Sequence, residues 1–402
     1  MKIAIIQERK NPPDSRVALA PDQAELLKKQ YNLDIKIESS PNRCFQNDLY
    51  HEKGFSIVDD IKDADILFGI KEVPITELIP NKKYFFFSHT IKKQPYNRPL
   101  LLAILEKNIT LIDYEALKDS NGNRLVAFGV FAGMVGAHNA LWAFAQRKGH
   151  FYLPRITQFQ TYAEAQAYYK TRQQLPTMKI VVTGGGRVAS GAVKVLLDMG
   201  LKQISPEEYL NKQYDEPVFT QLKISDYVAR KDGETYEKRH FYANPEVYKS
   251  TFAPYSKVSD IFINGIYYDQ RAPAFFSIDD MKKKDFNIQV IGDVTCDIAP
   301  NASIPATIDA STIADPVFGF DPYSMQKVAP YQDKYVDMMT IDNLPNELPQ
   351  DASRHFGDAL IKFIIPELLG KTDTDIIERA TVTRNGQLTK HFAYLQDYVD
   401  GK

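Results

Sequence analysis

The chain has 402 residues, of which 44% are hydrophobic and 25% charged, and its net charge is −2. That composition buries a real core and length suggests two or three domains, while the absence of a basic excess argues against nucleic-acid or anionic-membrane binding. Cys44 and Cys296 are the only cysteines, which argues against a disulfide framework and for a reducing, cytoplasmic setting; the opening MKIAIIQERK turns charged too early for a secretory leader, and no run approaches the roughly 20 apolar residues of a spanning helix.

Strand-like apolar runs alternate with helical segments, the α/β pattern. Residues 2–7 read as a first strand and 21–31 as a helix with proline at its start. Residues 64–70, 84–88 and 109–113 read as short buried strands, and each runs into polar residues: Lys71-Glu72, His89-Thr90 and Asp113-Tyr114-Glu115. In open parallel sheets ligands bind beyond the carboxyl ends of strands, so polar groups there carry more weight than elsewhere. Residues 126–148 predict a long helix, 162–174 a polar surface helix, and 178–183 a strand that enters a glycine turn. Residues 204–259 are polar with few periodic signals. Residues 261–265 and 288–293 read as later strands, 321–350 as loop, 351–369 as helix, and 373–399 as one or two more helices. The expected architecture is two Rossmann-like domains with a cleft between them: a discontinuous first domain of 1–135 plus 325–402, and a dinucleotide domain of 140–322.

The glycine turn is Thr183-Gly184-Gly185-Gly186-Arg187-Val188-Ala189. Read as G-x-G-x-x-A between a strand and a helix, it places Gly184 at the tight turn and Gly186 where the backbone meets a pyrophosphate, and Ala189 allows close helix–strand packing. The bland alternative is a βα turn with no ligand. Dinucleotide sites place an acid about 20 residues further on to bind the ribose 2′-OH. The expected second strand, near 202–204, ends instead at Ser205, and Arg187, Lys202 or Ser205 would tolerate a 2′-phosphate. This leans towards NADP(H), with NAD(H) close behind. His and Cys show no zinc-ligand spacing.

The polar segments at the first domain's strand ends suit amine–carbonyl exchange with hydride transfer. A lysine whose pKa is lowered by burial or like charge acts as a base, histidine moves protons near neutrality, and arginine clamps carboxylates. Taken singly, His89 reads as a structural histidine, Lys71-Glu72 as a surface pair and Arg16 as a solvated arginine. Their shared placement at strand ends is what raises them together.

At these residues the sequence resembles a known family. Phe85–Lys92, Leu111–Glu115 and Arg124–Gly129 resemble the lysine–ketoglutarate reductase domain of the bifunctional lysine-degradation enzyme and the lysine-forming saccharopine dehydrogenases. Thr183–Val188, Asn264–Tyr267, Gly292–Val294 and Ile341–Pro345 extend the likeness in order. The wider family includes alanine dehydrogenase and the nicotinamide nucleotide transhydrogenase subunit, to which Arg16–Pro21 is also similar. The resemblance implies reversible condensation of lysine with 2-oxoglutarate to saccharopine, using NADP or NAD and no metal. It implies acid–base work by Lys71 and His89, a substrate site lined by Arg16, Lys92, Glu115 and Arg124, a tuning carboxylate at Glu72, and Asp297 near the nicotinamide. Two alternatives stand beside it: an alanine dehydrogenase-like amino-acid dehydrogenase, and a non-catalytic dinucleotide sensor.

Overall fold

The computed structural model describes residues 1–171 and 175–402. The chain divides into two compact units, one of Met1–Phe128 with Pro349–Lys402 and one of Gly129–Leu348.

The first unit opens with β1 (Lys2–Ile5), β2 (Asp34–Glu38), β3 (Ile57–Val58), β4 (Ile66–Phe68), β5 (Lys83–Phe86) and β6 (Thr110–Asp113). All pair in parallel, in the order β6-β5-β4-β1-β2-β3. Parallel strands need both faces covered, and alternate side chains of these strands serve two cores. Ile3, Ile5, Phe68, Phe85 and Ile112 pack with Ala24 and Leu27 of the helix Pro21–Tyr31. Ala4, Leu67, Tyr84, Phe86 and Leu111 pack with Leu100, Leu101 and Ile104 of the helix Arg98–Glu106. Burying one such side chain stabilises the fold by about 1.5–3 kcal/mol. The strands are therefore held by their centres, which leaves their carboxyl ends free to turn into polar loops.

The second unit is built on β7 (Lys179–Thr183), β8 (Lys202–Gln203), β9 (Val218–Leu222), the antiparallel pair β10 (Val228–Arg230) and β11 (Tyr248–Ser250), β12 (Ile261–Asn264), β13 (Val290–Asp293), β14 (Phe318–Asp321), β15 (Gln326–Val328) and β16 (Val336–Met339). Its main sheet runs β15-β14-β16-β13-β12-β7-β9-β8. This corrects two expectations. Residues 325–348 belong to this unit and not to the first, because β16 pairs in parallel with β13 and Asp337 makes a buried 2.9 Å ion pair with Arg147 of the long helix. On the side away from β12, the glycine strand is flanked by β9, inside the stretch that looked featureless; β8 is a two-residue, exposed edge strand beyond it. The long helix spans Gly129–Lys148, starting three residues later than its periodicity suggests. It lies backbone to backbone against the helix that follows the glycine turn, Arg187–Asp198. A Cβ on Gly133 would stand 1.7 Å from the Val188 carbonyl oxygen, and one on Gly191 would stand 2.0 Å from that of Val130.

The chain then returns to the first unit. Helix Pro349–Ala359 continues through a π-helical turn at Leu360–Ile364 into Ile365–Leu368. Pro366 has no N–H to donate and crowds the preceding turn, which accounts for the widened segment. The span 373–399 holds two short α-helices, Ile376–Ala380 and Gln396–Asp400, as expected, with two strands between them that were not expected. β17 (Thr381–Arg384) pairs antiparallel with β6, and β18 (Gln387–Leu388) extends the sheet to eight strands. The buried Thr383 hydroxyl donates to the Ile109 carbonyl at 2.8 Å and so joins chain segments far apart in sequence. The helix expected over 162–174 runs Tyr162–Thr171, and 172–174 lie outside the described residues. Among the described residues, no helix is long and apolar enough to cross a membrane.

Candidate active site and cofactor pocket

In the first unit, four consecutive strands of the sheet deliver polar side chains at their carboxyl ends. Beyond β1, Glu8 is buried, and its carboxylate accepts the backbone N–H groups of Ile70 at 2.7 Å and Lys71 at 2.8 Å. Glu8 therefore holds the segment that carries Lys71 as it leaves β4. Burial, with the nearby charge of Asp14, pushes the Glu8 carboxyl up to about 8 against the pull of those two N–H groups. Burial also lowers the Lys71 ammonium, and the positive charges of Arg16 and Lys10 lower it further. A lysine in that state gives up its proton more readily than one in water.

Glu72 joins the next two groups. Its carboxylate meets His89 Nδ1 at 2.5 Å and Lys10 Nζ at 3.0 Å. Burial raises the Glu72 carboxyl, yet the hydrogen bond and charge of His89, helped by Lys10, outweigh it and hold the group at about 2. An ionised carboxylate on Nδ1 fixes the imidazole's orientation and leaves Nε2 as the nitrogen available to exchange a proton. His89 has φ 53°, a left-handed conformation uncommon away from glycine. Its neighbours hold it there: the Ser88 N–H donates to Asp113 at 3.1 Å, the Ser88 hydroxyl donates to the same carboxylate, and Asp113 is fully buried at the end of β6.

The arginines lie on an aromatic platform. Arg16 is buried, paired with Asp14 through Nε at 2.9 Å and Nη2 at 2.5 Å, and its guanidinium carbon is 4.2 Å from the centre of the Phe128 ring. Arg124 lies over Phe87 at 5.7 Å, and the His89 ring stacks near-parallel to Phe87 with centroids 6.5 Å apart. Phe87 and Phe128 are neighbours, so the two arginines and the histidine share one surface. Glu115 forms an ion pair with Lys92 at 3.5 Å and accepts from Arg124 at 3.3 Å. The structure thus brings Arg16, Lys71, Glu72, His89, Lys92, Glu115 and Arg124 into one region. It adds Glu8, Lys10, Asp14 and Asp113, for which sequence reasoning had no role. Asp14 stood two residues from Arg16, and that spacing was the available signal.

The second unit carries the glycine turn. Gly184 has φ +108°, and a Cβ there would fall 2.6 Å from the Gly265 carbonyl oxygen, so only glycine fits without strain. Gly185 and Gly186 instead face open space, with no atom within 4 Å of an added Cβ. Gly186 is the N-cap of the 12-residue helix Arg187–Asp198, whose first N–H groups have no partner within the helix. Open space over glycines at a helix N-terminus fits a pyrophosphate, with Gly185, Gly186 and those N–H groups holding it. A pocket of about 600 Å³ opens there. Its wall includes Gly184, Gly185, Gly186 and Gly265, then Lys223 and Ser225 beyond β9, Tyr236, Lys238 and Tyr242 from the segment around β10 and β11, and Asp269 after β12.

Four residues expected to bind the cofactor are not on the wall of that pocket. Ser205 caps the short helix Pro206–Asn211, accepting the Glu208 N–H at 3.2 Å, and is off the pocket because it follows the edge strand β8 and not β9. Val188 packs against Gly129 and Gly265. Arg187 and Val188 begin the helix, so their backbone N–H groups are among those at the turn, and Asp297 lies beyond β13 near Tyr268 and Cys296. Among the described residues, no group of three or more His, Cys, Asp or Glu side chains is arranged to hold a metal.

Residues 4–135 match the model of the alanine dehydrogenase/PNT N-terminal domain family. The chain is 30% identical over 98% of its length to the alpha-aminoadipic semialdehyde synthase of Arabidopsis thaliana, covering 41% of that protein. It is 29% identical to the mitochondrial enzyme of that name from Mus musculus, covering 47% of it; the chain thus spans less than half the length of these relatives. It is also 29% identical to the saccharopine dehydrogenase [NAD(+), L-lysine-forming] of Candida glabrata, over 87% of each chain. Among solved structures, an L-alanine dehydrogenase aligns over the whole chain with a TM-score of 0.61 at 16% identity. A transhydrogenase from Sinorhizobium meliloti aligns over 97% of it, also at 0.61. The fold is theirs: α/β, with two Rossmann-like domains. Residues 4–135 thus match the alanine dehydrogenase/PNT N-terminal domain, and the chain as a whole is similar in sequence to saccharopine dehydrogenases and alpha-aminoadipic semialdehyde synthases.

Proposed function

We propose that this chain is an oxidoreductase that interconverts saccharopine with L-lysine and 2-oxoglutarate, using a nicotinamide dinucleotide. The observation that carries the reading is the Lys71–Glu72–His89 arrangement in a domain of this family: a depressed lysine and a carboxylate-oriented histidine at adjacent strand ends. In the reducing direction the lysine ε-amine attacks the ketone carbon of 2-oxoglutarate. Lys71 takes the proton released from the amine. His89 donates a proton to the departing hydroxyl, so water leaves and an imine remains. A nicotinamide dinucleotide held by its pyrophosphate at Gly185 and Gly186 would supply the hydride for the imine carbon. Overall, lysine, 2-oxoglutarate, reduced cofactor and one proton give saccharopine, oxidised cofactor and water. Arg16 and Arg124 hold substrate carboxylates, each already oriented by a carboxylate partner and an aromatic face. Lys92 and Glu115 position the amine substrate. The choice between NADP(H) and NAD(H) turns on the groups that meet the adenosine ribose, and the reading leans to NADP(H).

The test is oxidation of NADPH and of NADH by the purified chain with lysine plus 2-oxoglutarate. Turnover that needs both substrates supports the reaction. No turnover with either cofactor, alongside reduction of pyruvate with ammonia, would replace it with the alanine dehydrogenase reading, which the family match over 4–135 favours as second choice.

A further inference from the structure

We infer that the pocket beyond the glycine turn ends in a subsite for a 2′-phosphorylated adenosine ribose, with Lys223 and Ser225 as the groups that read the phosphate. The inference rests on the dinucleotide reading of the glycine turn. In folds of this kind the adenosine ribose lies at the carboxyl end of the strand adjacent to the glycine strand. That strand is β9. Its last residue, Leu222, is in register with Thr183, and its carbonyl accepts the Gly184 N–H at 3.1 Å. The Gln221 side-chain amide donates to the Gly184 carbonyl at 2.9 Å. Two hydrogen bonds therefore tie the end of β9 to the turn, and the residues that follow, Lys223, Ile224 and Ser225, are on the pocket wall.

A site for an unphosphorylated ribose needs a carboxylate at that position to accept from the hydroxyls. The nearest acid, Asp226, is turned back onto the Lys223 backbone N–H at 2.7 Å and is not on the wall. The acid that is on the wall, Asp269, comes from the loop after β12 and is held by Arg271 at 3.1 and 2.7 Å. In place of a carboxylate, the position offers an ammonium and a hydroxyl, and Lys238 adds a second ammonium to the same wall. Neither lysine makes an ion pair with an acid among the described residues, so a dianionic phosphate would meet cations whose charge is not already matched. Tyr236 and Tyr242 line the same wall and give a base a flat apolar surface. An uncharged 2′-hydroxyl would leave this cationic pair without an acceptor of matching charge.

The experiment is calorimetric titration of the full chain with adenosine 2′,5′-bisphosphate and with 5′-AMP. The expected result is roughly tenfold to hundredfold tighter binding of the bisphosphate, the range for hydrogen bonds to a charged group. Lys223 is exposed, so its replacement leaves the core intact. Lys223→Gln should bring the two affinities within about threefold, and Lys223→Arg should keep the preference. Equal affinities in the wild-type chain, no binding of either nucleotide, or a Lys223→Gln chain that keeps the preference overturns the subsite. No titration contains lysine or 2-oxoglutarate. A chain that fails to turn over those substrates yet prefers the bisphosphate loses the proposed reaction and keeps this site; turnover with equal nucleotide affinities does the reverse.

Discussion

The two units hold their sites at the same place, the carboxyl edge of a largely parallel sheet, and build them from different material. In the first unit the site is made of side chains whose charges shift one another: Glu72 held down at about 2 beside His89, and Glu8 held up at about 8 beneath Lys71. In the second unit it is made of backbone, from glycines with no side chain in the way and the first-turn N–H groups of a helix, which have no acceptor within that helix. Proton transfer requires groups whose charge changes, and these must be tuned by neighbours. Holding a pyrophosphate requires only fixed donors and room. Removing a functional group should therefore break the first site, and adding a Cβ should break the second.

The largest effect belongs to the first site. His89→Ala and Lys71→Met should each lower kcat by about 10²–10⁴-fold, the usual worth of a general acid or base. Adenosine 2′,5′-bisphosphate affinity should stay within experimental error of wild type, because neither residue is in the second unit. Wild-type turnover in both variants would remove them from the chemistry, and a matching loss of nucleotide affinity would break the contrast between the units.

Next in size is Gly184→Ala. Its Cβ would meet the Gly265 carbonyl, and its φ of +108° disfavours any side chain. Strain of this kind costs about 1–3 kcal/mol, to be read by urea unfolding, and nucleotide affinity should fall with it. If a variant with wild-type stability and affinity resulted, the turn would not need glycine.

The smallest effect sharpens the electrostatic half of the contrast. The Glu8 carboxyl rises from its ordinary 4.5 to about 8, chiefly through burial. The folded chain therefore keeps a proton that the unfolded chain loses. The contribution of Glu8 to stability is complete below pH 4.5 and is lost as pH rises towards 8, at a slope of at most about 1.4 kcal/mol per pH unit. Glu8→Gln carries no such proton, so its unfolding free energy should fall less between pH 5 and 8 than that of wild type. Equal falls in the two proteins would mean that Glu8 is ionised in the native state throughout that range.

Several parts of this arrangement were legible without a structure. Buried apolar runs ending in Lys71-Glu72, His89-Thr90 and Asp113-Tyr114-Glu115 pointed to strand ends, and the sheet places them side by side. The glycine turn was legible because a strand, three glycines and a helix follow one another within one short segment. The ribose position was not. Ser205 occupied the usual spacing of about 20 residues, but β8 and its short helix intervene before β9, and the position passes to Lys223 and Ser225. Glu8 and Asp14 stood in plain view, yet their importance depends on being buried, which no local pattern records.

Local sequence by itself determined the strand and the helix that flank the glycine turn, where that turn must fall, and which polar residues end β4, β5 and β6 of the first sheet. These depend on apolar periodicity, glycine's conformational freedom and other interactions over a few residues. Tertiary structure alone decided that β9 and not β8 neighbours the glycine strand, that β17 closes onto β6, that residues 325–348 belong to the second unit, and that Glu8 lies beneath Lys71. The physical reason is the same in each case. Strand order and burial arise from backbone ladders and desolvation between segments tens to hundreds of residues apart, and the free energy of those contacts is not encoded in any single stretch of chain.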